Sequence, residues 1–244
     1  MIDRGDRMAD LAEQPAGRFR DRAEAGRFVA ERLSDLVDRA DLIVLGIPRG
    51  GVPVAYEVAK ALHAPLDVIV VRKLGCPGAE ELAMGAIASG GIRVLNTNVL
   101  EELAVSPRTV ETVATREQAE LERRERAYRG GRPPIDPRGC TVVVVDDGLA
   151  TGSTMRAAVA SLRQGGAASI VVAVPVGAAS TCGQVARIAD RFVCVVFADL
   201  LFGVGAWYED FSPPTDGEVR RLLHDLPASR QVPQKEAGGD AKGT

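Results

Sequence analysis

The chain is predicted to be an α/β protein with a mostly parallel, Rossmann-like sheet and helices on both of its faces. Two observations predict this. Short runs such as "LIVLGI" (42–47), "VVVV" (142–145) and "IVVAVPV" (170–176) are continuously apolar or small, as strands buried on both faces are. Between them lie segments with apolar residues at helical spacing, so strand and helix alternate almost throughout.

Residues 1–17 are polar and aperiodic and read as a flexible tail. From Asp21 onward Ala25, Phe28, Val29, Leu33, Leu36 and Val37 recur at helical spacing, and "LIVLGI" then forms a buried strand closed by "PRGG". Val54, Ala55, Val58, Ala59 and Leu62 mark the next helix. "PLDVIVV" (65–71) reads as a second strand ended by Arg72 and Lys73. The Gly/Ala-rich stretch 74–91 has no sustained period and reads mostly as a long mobile loop, with "MGAIAS" and "IRVLN" as short strands. Ser106-Pro107 is a helix start, an N-cap followed by Pro at the first helical position. The charged helix it opens should reach about Tyr128, and 129–139 links it to "CTVVVVDD".

After that strand a helix carries Met155, Ala158, Val159 and Leu162 on one face and ends at Gly165-Gly166. "SIVVAVPV" is the fourth strand, 181–190 a short helix and "RFVCVVF" (191–197) the fifth strand. Asp216 is expected to cap a final helix through Val219, Leu222, Leu223 and Leu226. Residues 18–226 thus make one domain, and 227–244 form a low-complexity, disordered tail.

Composition narrows the function. A net charge of −3 gives no general attraction to nucleic acid or to an anionic membrane, so anion affinity must come from a local site. No apolar run is long enough to span a bilayer, and the charged start lacks a signal core. Cys76, Cys140, Cys182 and Cys194 form no CxxC pair, and His63 and His224 lie far apart, so a structural zinc is not expected. Reduced thiols in a cytoplasm are the plain reading.

In open α/β sheets ligands bind beyond the carboxyl ends of strands, near the point where strand order reverses. Three segments should surface there: 48–51, 72–91 and 146–154. Residues 148–154 lead into a helix, whose N-terminal N–H groups and dipole favour an anion. Gly148, Ala150 and Gly152 allow close backbone approach, and Thr151, Ser153 and Thr154 offer hydroxyls. Asp146 and Asp147 repel phosphate but accept hydrogen bonds from a vicinal diol and can lie near a phosphate-bound metal. A phosphate cradle beside a diol acceptor describes a ribose 5-phosphate pocket. Turn residues at a capped helix are the plainer alternative.

"VVVVDDGLATGST" (142–154) resembles the phosphoribosyl-diphosphate signature of the type I phosphoribosyltransferases: a hydrophobic strand, two acids, two mostly apolar residues, then a Thr/Gly/Ser-rich loop. Gly148 departs from it, where the family carries an apolar side chain, while Leu149 conforms. The wording is closest to adenine-type members. Hypoxanthine/guanine-type members carry an extra Asp where this chain has Ala150, which puts a hypoxanthine-like substrate in doubt. Together with "PRGGVPVAYEVA", "VVRKLG", "ELAMGAIA" and "VGAWYEDF", the motif makes residues 18–226 similar to bacterial phosphoribosyltransferases with no settled substrate.

The resemblance implies a type I phosphoribosyltransferase core that transfers 5-phosphoribosyl from phosphoribosyl diphosphate to a nitrogenous acceptor. It implies Mg²⁺, with Asp146 and Asp147 engaging the ion only indirectly, through its water or the ribose diol. Arg49, Gly50 and Gly51 would hold the diphosphate. Arg72 and Lys73 would end a strand at the same edge, or be plain solvated charges there. The stretch 74–91 corresponds to the family's catalytic loop. On it Glu80 or Glu81 could take a proton from the acceptor, or simply be solvated. A small hood would come from about 197–215, with Phe202, Trp207 and Tyr208 stacking on a planar acceptor or equally packing in the core, the reading favoured for Trp207. Many family members are dimers, and a homodimer is the corresponding expectation. The rival class is a non-catalytic sensor of phosphoribosyl diphosphate.

Overall fold

The computed structural model describes residues 17–226 of the 244. The expected tails lie outside the described residues, save for Gly17. A five-stranded parallel sheet contains β1 (Leu42–Gly46), β2 (Leu66–Val68), β6 (Thr141–Val145), β7 (Ser169–Ala178) and β8 (Arg191–Ala198), in the order β2-β1-β6-β7-β8. Strand order reverses between β1 and β6. The loops after those two strands therefore leave the sheet side by side.

Every residue of β1 and β6 is buried, yet the two faces build separate cores. Val44, Val143, Val145, Val171 and Ala173 point to one side, where α1 (Arg22–Glu31) and α2 (Gly51–Leu62) cover them through Ala25, Val29, Val54 and Val58. Ile43, Leu45, Val142, Val144 and Val172 point to the other, against α5 (Ser153–Gln164) and α6 (Ala179–Ala186) through Met155, Val159, Leu162 and Val185. The strict two-residue alternation of a strand divides one apolar run between two layers.

Several boundaries differ from expectation. The run 65–71 is not one strand. After β2 the Ile69 N–H donates to the Gly46 carbonyl, and the Val70 N–H turns to the Ser89 hydroxyl (2.9 Å). The chain then enters a second sheet, β3 (Val71–Cys76), β4 (Ala79–Ala88) and β5 (Ile92–Leu95), all antiparallel. Arg72 and Lys73 consequently sit inside β3, not at the end of β2. The expected loop 74–91 is largely this hairpin, turning at Pro77-Gly78 with Gly78 at φ 81°.

Two of its glycines, Gly75 and Gly85, mimic loop composition for a packing reason. A Cβ on Gly75 would lie 2.7 Å from the Glu80 carbonyl, at a register shift between β3 and β4. A short helix unforeseen from sequence, α3 (Thr97–Glu102), is capped by Asn96. α4 (Pro107–Arg129) starts at its Ser106 cap as expected and closes over the second sheet with Val110, Val113, Ala114 and Leu121. The last helix, α7 (Asp216–Asp225), is capped by Thr215, not Asp216, in a reciprocal box with Glu218. No described helix is long and apolar enough to cross a membrane.

Candidate active site

Two turns meet at the switch point. The turn after β1 carries Pro48, Arg49, Gly50 and Gly51, with a cis peptide between Pro48 and Arg49. Gly51 opens α2 directly over the end of β6: a Cβ there would fall 2.7 Å from the Val145 carbonyl and 2.8 Å from the Asp146 Cα. At Gly50 the first atoms a Cβ would strike belong to the Asp147 carboxylate. Glycine is required at both positions so that the turn can lie on the acidic pair.

The loop 146–154 is held in place from below. Leu149 pairs with Gly177 of β7 as a one-residue extension of the sheet, with the Leu149 N–H donating to the Val176 carbonyl (2.8 Å). The Thr181 hydroxyl donates to the Ala150 carbonyl (2.8 Å), and Arg156 Nη1 donates to the Thr151 carbonyl (3.0 Å). Gly152, at φ 69°, is the N-cap of α5. Having no side chain, it leaves the first-turn N–H groups for an incoming oxyanion. The hydroxyls of Thr151 and Ser153 stand 3.2 Å apart beside it, with Thr154 next in the turn. Gly148 also has a local cause: a Cβ there would collide with the Val204 side chain. Val204 thus stands where an apolar residue at 148 would reach.

The two carboxylates differ. Asp146 accepts the Asp147 N–H at 2.9 Å, and burial together with the charge of Asp147 holds its carboxyl well above the usual carboxylate range. Burial also raises Asp147, an effect that Arg22 opposes with a 2.8 Å ion pair to Oδ2. Arg22 opens α1, immediately after a segment in which Phe19 pairs with Tyr208. The Tyr208 hydroxyl donates to the Asp147 carbonyl at 2.6 Å. Asp147 is therefore gripped at carboxylate and carbonyl by residues remote in sequence. Arg22 offered no signal in the run "RFRDR", because nothing there marks a partner 125 positions away.

Other predicted site residues lie elsewhere. The Arg49 side chain reaches toward Asp216 (3.8 Å) at the start of α7, in a cleft of about 250 Å³ shared with Arg123, Arg124 and Tyr128. Arg72 is engaged by Glu117 of α4 (Nε to Oε2, 2.9 Å), so its guanidinium is not held ready for substrate. Lys73 is exposed on β3. Glu80 sits beside the hairpin turn and accepts the Gly78 N–H at 3.3 Å; Glu81 follows in β4. Tyr208 is 1% exposed, packed against Phe19 and Phe211, so its ring is not available to stack on a surface-bound acceptor. Trp207 is half-buried against the core, and Phe202, 95% exposed, is the freest of the three aromatics.

This arrangement coincides with a known domain. The family model for the phosphoribosyl transferase domain matches residues 19–200, most of the chain. The chain belongs to that family. Within the phosphoribosyl transferases it is 47% identical over 205 residues to two Mycobacterium tuberculosis proteins (strains CDC 1551 / Oshkosh and H37Rv) whose names assign them provisionally to the family. The match covers 84% of this chain and 46% of theirs, so this phosphoribosyl transferase chain spans about half the length of those relatives. The crystal structure of TT1426 from Thermus thermophilus superposes with a TM-score of 0.78 at 41% identity, over 86% of this chain and 99% of that one.

Proposed function

We propose that the chain transfers a 5-phosphoribosyl group from phosphoribosyl diphosphate to a nitrogenous, planar acceptor and releases pyrophosphate. The observation that carries this reading is the packing of the Gly50-Gly51 turn on Asp146 and Asp147, a few residues before the hydroxyl-rich N-terminus of α5. Acceptors for a diol and donors for phosphates thus occupy neighbouring turns.

In this reading the 5-phosphate lies on the N–H groups and hydroxyls of 150–154. The ribose hydroxyls donate to Asp146 and Asp147, and the diphosphate follows the 49–51 turn. The C1–O bond breaks as the acceptor nitrogen forms a bond to C1. The acceptor loses a proton, for which Glu80 or Glu81 is the candidate base, and the electron pair of the broken bond leaves with pyrophosphate. Lys73 would meet the leaving group when the hairpin lies over the site, and closure would also keep water from the activated ribose.

Mg²⁺ suits this donor set. Among the described residues no group of three acidic, His or Cys side chains could hold a metal alone. Two carboxylates beside a diphosphate match an ion that keeps water and substrate oxygens as ligands. When bound, it would neutralise charge on the leaving diphosphate. The hood of about 197–215 would cover the acceptor, with Phe202 and Trp207 as the stacking candidates. We further propose a homodimer acting in the cytoplasm.

The test is pyrophosphate release from phosphoribosyl diphosphate and Mg²⁺ across a panel of purines, pyrimidines and small amines. The expected result is release with one acceptor class and not without an acceptor. Tight binding of phosphoribosyl diphosphate with no release on any acceptor would overturn the enzyme reading in favour of a sensor.

A further inference from the structure

Arg22 is not a solvated charge. Its Nε donates to Asp147 Oδ2 (2.8 Å) and its Nη1 to the Ser212 carbonyl (2.9 Å). Its Cζ lies 3.9 Å from the centre of the Phe211 ring and 5.8 Å from that of Tyr208. The residue is 8% exposed. Two directional bonds and a stacked ring fix the plane of the guanidinium, which a lysine at the same place could not reproduce. The Phe211 and Tyr208 rings are themselves in contact (5.0 Å between centres), and Tyr208 holds the Asp147 backbone. Arg22, Phe211 and Tyr208 therefore form one packed unit that ends on the Asp147 carboxylate.

We propose that Arg22 is a positioning residue for the donor-substrate site: by binding one oxygen of Asp147 from a platform on Phe211, it orients the other toward a ribose hydroxyl. The unit joins the segment before α1 to the 204–212 segment, so the diol acceptor is aligned by the same residues that would form the hood. This inference rests on the phosphoribosyl reading of Asp146 and Asp147.

Two probes separate positioning from general support. Phosphoribosyl diphosphate engages the diol acceptors; inorganic pyrophosphate, with Mg²⁺, carries no ribose and does not. In calorimetric titrations Arg22→Gln should weaken binding of phosphoribosyl diphosphate about 10- to 100-fold, the worth of a buried charge-assisted bond. Pyrophosphate affinity should fall much less, because pyrophosphate makes no bond to the diol acceptors. Arg22→Lys should recover part of the loss, since it restores charge without the planar fork. Phe211→Leu keeps apolar bulk but removes the ring face. It should show the same selective loss at smaller amplitude, and it carries the test if Arg22→Gln does not fold. Equal loss for both probes, or loss for neither, overturns the inference. A wild-type chain that binds pyrophosphate but not phosphoribosyl diphosphate overturns the underlying reading instead.

Discussion

Arg22 and Asp147 stand 125 positions apart in sequence and form a 2.8 Å ion pair with side chains only 9% and 16% exposed. The pair sits where the start of the domain, the end of β6 and the 204–212 segment converge. The acidic motif is thereby tied to parts of the chain that carry no motif of their own.

Tyr208 makes the second tie. Its hydroxyl bond to the Asp147 carbonyl is buried, so Tyr208→Phe leaves an acceptor without its donor. The expected loss is about 1–2 kcal/mol, or a fall in melting temperature of roughly 2–4 °C per kcal/mol in a domain of this size. Thermal unfolding checks it; an unchanged midpoint would remove Tyr208 from the support of Asp147.

The two glycines of the β1–α2 turn should fail differently. Gly51→Ala drives a Cβ into the Val145 carbonyl and the Asp146 Cα, which are backbone, and should cost about 1–3 kcal/mol of stability. Gly50→Ala meets a side chain, the Asp147 carboxylate. It should disturb binding of phosphoribosyl diphosphate more than stability. Urea unfolding alongside a binding titration separates the two.

Gly148 and Val204 should be coupled. Gly148→Ala alone collides with Val204 and should cost about 1–3 kcal/mol. Adding Val204→Ala should recover most of that loss. Unfolding energies that simply add across the double mutant would contradict the contact.

Asp146 makes a pH-dependent contribution. Its folded-state value lies above 3.8, raised first by burial and then by Asp147, so the folded protein holds that proton more tightly than the unfolded chain. The stability this gives is complete below the unfolded value and is lost as pH rises through the folded one. Asp146→Asn keeps an acceptor for the Asp147 N–H and removes the penalty. It should melt above wild type near pH 8, with the gap closing toward pH 4. A gap that does not change with pH would contradict the assignment.

The parallel core was legible because fully buried strands are continuous apolar runs and helices keep their stripe, so β1, β6, β7, α2 and α5 could be read almost residue by residue. The acidic loop was legible because carboxylates beside a helix start of small hydroxyl residues suit few ligands. The β3–β4 hairpin was not. Gly75 and Gly85 sit where a neighbouring strand's backbone leaves no room for a Cβ, and in sequence that is indistinguishable from loop glycine. Arg72 misled because its partner Glu117 lies on a helix 45 positions away. Tyr208 misled because an aromatic near a proposed hood can pack inward as readily as outward.

The central claim is that Asp146 and Asp147 form the sugar end of a phosphoribosyl-diphosphate site. Calorimetric titration of phosphoribosyl diphosphate with Mg²⁺ into wild type and into the Asp146→Asn, Asp147→Asn double variant tests it most directly. Saturable binding by wild type is expected, with loss of measurable binding in a double variant that still unfolds cooperatively. Equal affinity in the two proteins would contradict the assignment.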